Sequence, residues 1–309
     1  MIIDLGQVVV QMVVMLLIVS AGYAARRFQW LEPAADAVFS QTVVRLTAPC
    51  LVFYGILVSR DKLFTGNLPL IALAVGAAVL LAGVMAFFVF RIGQIRSDHR
   101  SVLQVATMFG NVSFLGIPLC YGLFGADGLL YASLYAASQD LLFWSVGVAM
   151  MGGSGTAGNW KKMFNPSFIG ILLAILLAAW RVPVPEFVLK TTSTIGAATL
   201  PLSLMVVGAG FCGAKAEWVI LRKLLPAAGM KLVVVPMAMT ALLFLLPMDP
   251  VARCVLALEM SMPSAASTVA LARTMGRDTG FAAQAVLMTT TLSAVSVPLM
   301  VLALNRFAI

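Results

Sequence analysis

Apolar stretches of about 20 residues recur from one end of this chain to the other, and each is long enough to cross roughly 30 Å of hydrocarbon as an α-helix. Only 10% of the 309 residues are charged and 61% are hydrophobic, whereas soluble domains carry roughly 25% charged residues. A mean hydropathy of +1.03 leaves too little polar side chain to cover a water-facing surface. The bilayer is therefore the solvent. The first stretch, 2–25, follows no cluster of Lys or Arg and lacks the small-residue ending of a cleaved signal, so it reads as a retained span.

Three function classes recede on the same facts. The net charge of +8 comes from basic residues in short connections rather than one patch interleaved with aromatics, which argues against a nucleic-acid partner. Cys50, Cys120, Cys212 and Cys254 lie in or beside apolar segments without metal-ligand spacing, and His99 is the single histidine, so the cysteines read as packing residues. No zincin motif, nucleophile elbow or histidine cluster is present, and the chain is not read as an enzyme. No cofactor is expected beyond a coupling ion, Na⁺ or H⁺.

Spans are expected near 5–26, 36–58, 68–90, 101–124, 128–150, 165–181, 187–212, 228–247, 252–274 and 280–304. With the N-terminus outside, 12 basic residues fall in inward connections, among them Arg26, Arg27, Arg96, Lys161, Lys162, Lys215 and Arg277, against 6 outward. The positive-inside bias then places both termini outside, in a multi-pass protein of the cell (inner) membrane. The glycine-rich connection after the fifth span divides the chain into a first five-helix repeat (1–151), a cytoplasmic linker (152–164) and a second repeat (165–309).

The halves resemble each other at their prolines. Span two carries Leu46-Thr47-Ala48-Pro49 and span seven Ala198-Thr199-Leu200-Pro201, while span four carries Pro118 and span nine Pro263, all mid-span. An odd number of spans per copy forces the copies into opposite orientations, an inverted-topology repeat. The competing reading is that proline is simply common in membrane helices. The fold class expected is all-α integral membrane, ten transmembrane helices as two inverted five-helix repeats with helices four and nine broken and crossing.

Span four reads Gly110-Asn111-Val112-Ser113-Phe114-Leu115-Gly116-Ile117-Pro118, and span nine Glu259-Met260-Ser261-Met262-Pro263-Ser264. Glycine and proline at such density break a helix. Unwound backbone at membrane depth survives only where protein or a water-filled cavity satisfies it, so the breaks mark an internal cavity. Half-helix N-termini there offer N–H donors to an anion, and exposed carbonyls suit a cation. The substrate-binding candidates are Asn111, Ser113, Pro118, Pro263, Ser264 and Arg45, whose guanidinium could fork a carboxylate. The coupling-ion candidates are Glu259, Asp140, Gln139 and Ser261, with Na⁺ ligation at Glu259 and Asn111. For Glu259 and Asp140 the competing readings are a structurally paired carboxylate and a hydrated one at a cavity mouth; for Arg45, a structural ion pair. Lys231 is expected near the cytoplasmic end of span eight, snorkelling to the headgroups.

These residues resemble the auxin efflux carrier family of bacterial and plant transporters. The likeness rests on Gly110-Asn111 with Phe114 and Gly116-Ile117-Pro118-Leu119, on Pro49, on Leu200-Pro201 with Gly208, and on Met262-Pro263-Ser264, in order over essentially the whole chain. It implies ten helices in two inverted repeats, similar to bile-acid sodium symporters, with a scaffold and a crossover domain and a homodimer through the scaffold. Bacterial members look like permeases for malonate, malate and similar carboxylates. The plant members' Asn-Pro-Asn pattern is absent, which weakens auxin as the substrate. The function expected is secondary active transport of small organic anions by alternating access, coupled to H⁺ or Na⁺. The alternative is a channel or ligand-sensing scaffold of the same fold without coupled transport.

Overall fold

The computed structural model describes residues 5–63, 67–92, 99–152, 165–212 and 218–307. The expected linker beyond Gly152, and the basic residues Arg96, Lys161, Lys162 and Lys215, lie outside them. The described residues are helical throughout, with no strand beyond one isolated bridge. In hydrocarbon a helix satisfies its own backbone, which is why the apolar runs take this form.

Helix α1 is Leu5–Arg27. Helix α2 runs over 33–58 through a π turn at Val43–Thr47, and α3 is Asn67–Ile92. Next come α4, Arg100–Met108, and α5, which opens on the π turn Val112–Gly116 and ends at Gly125, whose φ of 60° breaks the helix. Helix α6 covers 126–150 and α7 is Pro166–Ala179, where Asn165 caps by accepting from the Phe168 N–H. Helix α8 spans 186–211 with its two parts meeting at Ala198, and α9 spans 218–243. Helices α10, Pro250–Met260, and α11, Ser267–Thr274, are followed by α12, Thr279–Phe307. By length and composition, six described helical stretches are apolar enough to cross a membrane.

Both expected interruptions are present, at 109–111 between α4 and α5 and at 261–266 between α10 and α11. The eighth stretch differs from expectation. It begins at 218 rather than 228, because Arg222 and Lys223 ended the apolar run on paper while the helix continues through Pro226. Lys231 consequently sits in a π turn at mid-helix, 5% exposed, and does not snorkel from an end.

Two packing groups surround the site. Helix α1 lies along the second half of α8, and α7 and the first half of α8 pack on α2. Gly22 meets the Met205 backbone, Gly208 the Val19 carbonyl and Gly196 the Leu51 backbone, so these helices touch backbone to backbone. The second group joins α3 to α4, α10 to α5 and α6, α9 to α10 and α12, and α11 to α12.

Candidate functional site

The two interruptions meet. Gly110 and Ser264 form an antiparallel bridge, with the Asn111 N–H donating to the Pro263 carbonyl at 2.6 Å and the Ala265 N–H to the Phe109 carbonyl at 3.0 Å. Every buried backbone group freed from a helix needs a partner, and here the partners can be traced. The side-chain amide of Gln139 on α6 accepts from the Gly110 N–H at 3.0 Å and donates to the Gly110 carbonyl at 2.9 Å. The Ser264 N–H donates to Thr289 Oγ1 on α12 at 3.1 Å. The Asn111 carbonyl accepts from Leu115 and Gly116, which starts α5.

Asn111 itself is 7% exposed, and among the described residues its side-chain amide has no hydrogen-bond partner. It lines two cavities at once. One, of about 200 Å³, is bordered by Gly110, Ser113, Gln139, Asp140, Asn165 and Ser267. The other, of about 490 Å³, is bordered mainly by apolar groups, including Phe114, Val207, Phe211 and Leu287, with Thr290. The larger cavity reaches the last turn of α8 and the early turns of α12, so it extends toward the end of the molecule where those two helices meet their connections.

The candidates predicted from the sequence separate into groups. Asn111, Ser113 and Asp140 share the smaller cavity, where Asp140 Oδ2 accepts from Asn165 Nδ2 at 3.1 Å. Pro118 stands in the first turn of α5 and is buried, and Pro263 contributes its carbonyl to the bridge. Gln139 borders the same cavity, and both ends of its amide bond Gly110, so it clamps the first break. Ser261 donates to the Ala257 carbonyl at 2.7 Å, inside its own helix end. Arg45, within the π turn of α2, is exposed and borders neither cavity.

Glu259 is fully buried, and it is enclosed rather than open to either cavity. Its Oε1 accepts from Cys120 Sγ at 3.7 Å, and its Oε2 has no partner among the described residues. A Cβ on Gly116 would overlap that carboxylate, so the glycine makes the room it occupies. Glu259 lines neither of the two cavities that Asn111 borders. Among the described residues no three His, Cys, Asp or Glu side chains cluster as a metal site. Sequence reasoning missed Thr289 and Asn165, whose roles come from partners remote in the chain and leave no local signature.

The family described as "Membrane transport protein" matches residues 7–159 and 154–301. The chain belongs to that family. It is the family of the auxin efflux carriers, toward which the Gly-Asn and Gly-Ile-Pro-Leu motif pointed. An uncharacterized transporter of Methanothermobacter thermautotrophicus is 26% identical over 92% of this chain and 94% of its own length. Another from Methanocaldococcus jannaschii is 25% identical over 91% and 93%. This membrane transport protein is a transporter and not an enzyme.

Outside the spans, the transporter ties its ends with charge. Lys62 Nζ lies 2.5 Å from Asp127 Oδ2, and that hydrogen bond raises the lysine above its ordinary value. At the opposite end His99 Nε2 lies 3.0 Å from Asp278 Oδ2 and stacks on Phe281 at 4.2 Å. The Phe281 N–H, followed by His99, holds the Asp278 carboxyl below the usual carboxylate value.

Proposed function

We propose that this membrane transport protein is a secondary active carrier of small organic anions, mono- and dicarboxylates of the malonate or malate class, working by alternating access. The observation that carries the reading is Asn111: a buried amide without a partner among the described residues, fixed beside the bridge of two interrupted helices and facing two cavities. Such a group can donate to a carboxylate. The first residues of α5 and α11, Val112 and Ser267, border the same cavity, and the positive ends of the two helix dipoles there favour negative charge.

In this reading the chain crosses the bilayer ten times, pairing α4 with α5 and α10 with α11 as the two broken spans, with 1–151 and 165–309 as inverted repeats and both termini outside the cell membrane. The backbone-to-backbone contacts of α1, α2, α7 and α8 supply the scaffold, and the remaining helices rock against it. A downhill H⁺ or Na⁺ neutralises a carboxylate during transit. Asp140, which borders the cavity, suits that role better than the enclosed Glu259.

The test is uptake of labelled malonate, malate and indole-acetate into proteoliposomes under an imposed pH or Na⁺ gradient, for wild type, Asn111→Ala and Asp140→Asn. Accumulation above the equilibrium level in wild type, lost in Asn111→Ala with the melting temperature unchanged, is the expected result. Accumulation undiminished by Asn111→Ala would overturn the site. Flux that never exceeds equilibrium under either gradient would replace the carrier by a channel.

A further inference from the structure

Lys231 reaches the interior, and among the described residues no carboxylate pairs with it. Its side chain, 5% exposed, borders a cavity of about 10 Å³, the room of a single water, together with Thr107 of α4, Ser264 of the second break and Thr289 of α12, the rest of the lining being apolar. The oxygens there are acceptors. Thr107 Oγ1 already gives its hydrogen to the Leu103 carbonyl at 2.8 Å and Thr289 Oγ1 gives its own to the Ala285 carbonyl at 2.8 Å, so both turn lone pairs outward. The Ser264 hydroxyl has no partner among the described residues, in a residue 1% exposed. Hydroxyls solvate an ammonium without neutralising it. Other charges near this region are directed elsewhere: Arg91 and Arg100 lie over the Phe87 ring, and Glu259 faces Gly116.

The position of this charge is what gives it a role. Ser264 is the residue bridged to Gly110, and Asn111, next along the chain, faces the two substrate-sized cavities. Lys231 therefore stands one layer of backbone behind the site, in surroundings where little water screens its field. It touches α4, the half-helix before the first break, whereas Glu259 touches α5, the half-helix after it. A basic and an acidic side chain thus flank the crossing, Lys231 on the side of Ser264 and α4 and Glu259 on the side of α5.

We infer that Lys231 is the anion-selecting charge of this carrier, a positioning residue that acts through the Ser264 break on a carboxylate held at Asn111. The inference rests on the carrier reading given above. It predicts that a second negative charge on the solute is felt at Lys231, so that a dianion is preferred over its monoamide.

The experiment measures binding of malonate and of its monoamide, malonamate, to the purified full chain by titration calorimetry, for wild type, Lys231→Met and Lys231→Arg. Lys231→Met should weaken malonate by roughly tenfold or more, as removal of one poorly screened charge implies, and should shrink the malonate-to-malonamate preference. Lys231→Arg should keep both. The melting temperature of Lys231→Met should hold or rise, since an apolar side chain of similar volume in place of an unpaired buried charge is neutral or stabilising. Equal weakening of both ligands with a lower melting temperature, or wild-type affinities in Lys231→Met, would overturn the inference and leave the carrier standing. Wild type that binds neither anion would overturn both.

Discussion

Where α1 lies along α8, shape leads: Gly208 admits the Val19 carbonyl, Gly22 admits the Met205 backbone, and the helices close backbone to backbone. Where α4 and α5 cross α10 and α11, shape is secondary. Helical hydrogen bonds are given up at 109–111 and 261–266 and replaced through the backbone bridge at Gly110 and Ser264, the Gln139 amide and the Thr289 hydroxyl. The first contact joins its helices backbone to backbone. The second makes a polar cluster whose pieces belong to four helices, and the cavities lie where the two kinds of contact adjoin. A membrane protein gains little from burying apolar surface against itself, because lipid is equally apolar. It must hold together by close packing or by polar satisfaction, and this one uses each in a separate place.

The comparison breaks first at Gln139. Replacing it by Leu keeps the volume and leaves both polar groups of Gly110 buried without partners, at about 1–3 kcal/mol for each. Gln139→Leu should therefore lose about 2–5 kcal/mol, read as reversible unfolding in detergent or as the fraction folded after reconstitution. A variant as stable as wild type would mean that water satisfies Gly110 and that Gln139 is free for a ligand. The next largest effect tests the other contact. Gly208→Val places two methyls where the Val19 carbonyl now sits, and overpacking of this kind costs about 1–3 kcal/mol. The loss should appear as separation of α1 from α8, measured by cross-linking between cysteines placed on the two helices, while anion binding at Asn111 is retained. Loss of binding at undiminished cross-linking would show that the two contacts are not independent.

Much of this architecture could be read from the chain because membrane helices announce themselves by apolar runs and breaks by glycine and proline. Asn111 and both interruptions were visible for that reason. What escaped was anything that depends on a residue's angular position around a helix. Arg45 was offered as a substrate contact by its spacing of four from Pro49, yet its side chain is exposed and borders neither cavity. Lys231 looked terminal because Arg222 and Lys223 seemed to end the hydrophobic segment, yet the helix includes them and buries the lysine. Glu259 was singled out as an ionisable group in an apolar run, but its enclosure depends on Gly116, 143 positions away in sequence, meeting it across the crossing. Gln139 and Thr289 carry no motif, since a side chain that serves another segment's backbone is recognised only once the two are side by side.

The smallest effect lies at the periphery, where charge replaces both packing and backbone repair. Asp278 accepts from the Phe281 N–H at 2.9 Å and pairs with His99, joining the start of α4 to the start of α12. Those contacts favour the ionised carboxylate and lower its folded-state value, so the unfolded chain binds this proton more readily than the folded one. The stabilisation is present above the ordinary carboxylate range and disappears as pH falls through the depressed folded value. Asp278→Asn keeps an oxygen for Phe281 and removes the charge. Its melting temperature should lie slightly below wild type near neutral pH, with the gap narrowing toward about pH 3, below the ordinary carboxylate value. A gap that stays constant across that range would assign the effect to hydrogen-bond geometry at Phe281 alone, and the two helix starts would then be held by packing of the His99 ring on Phe281 rather than by charge.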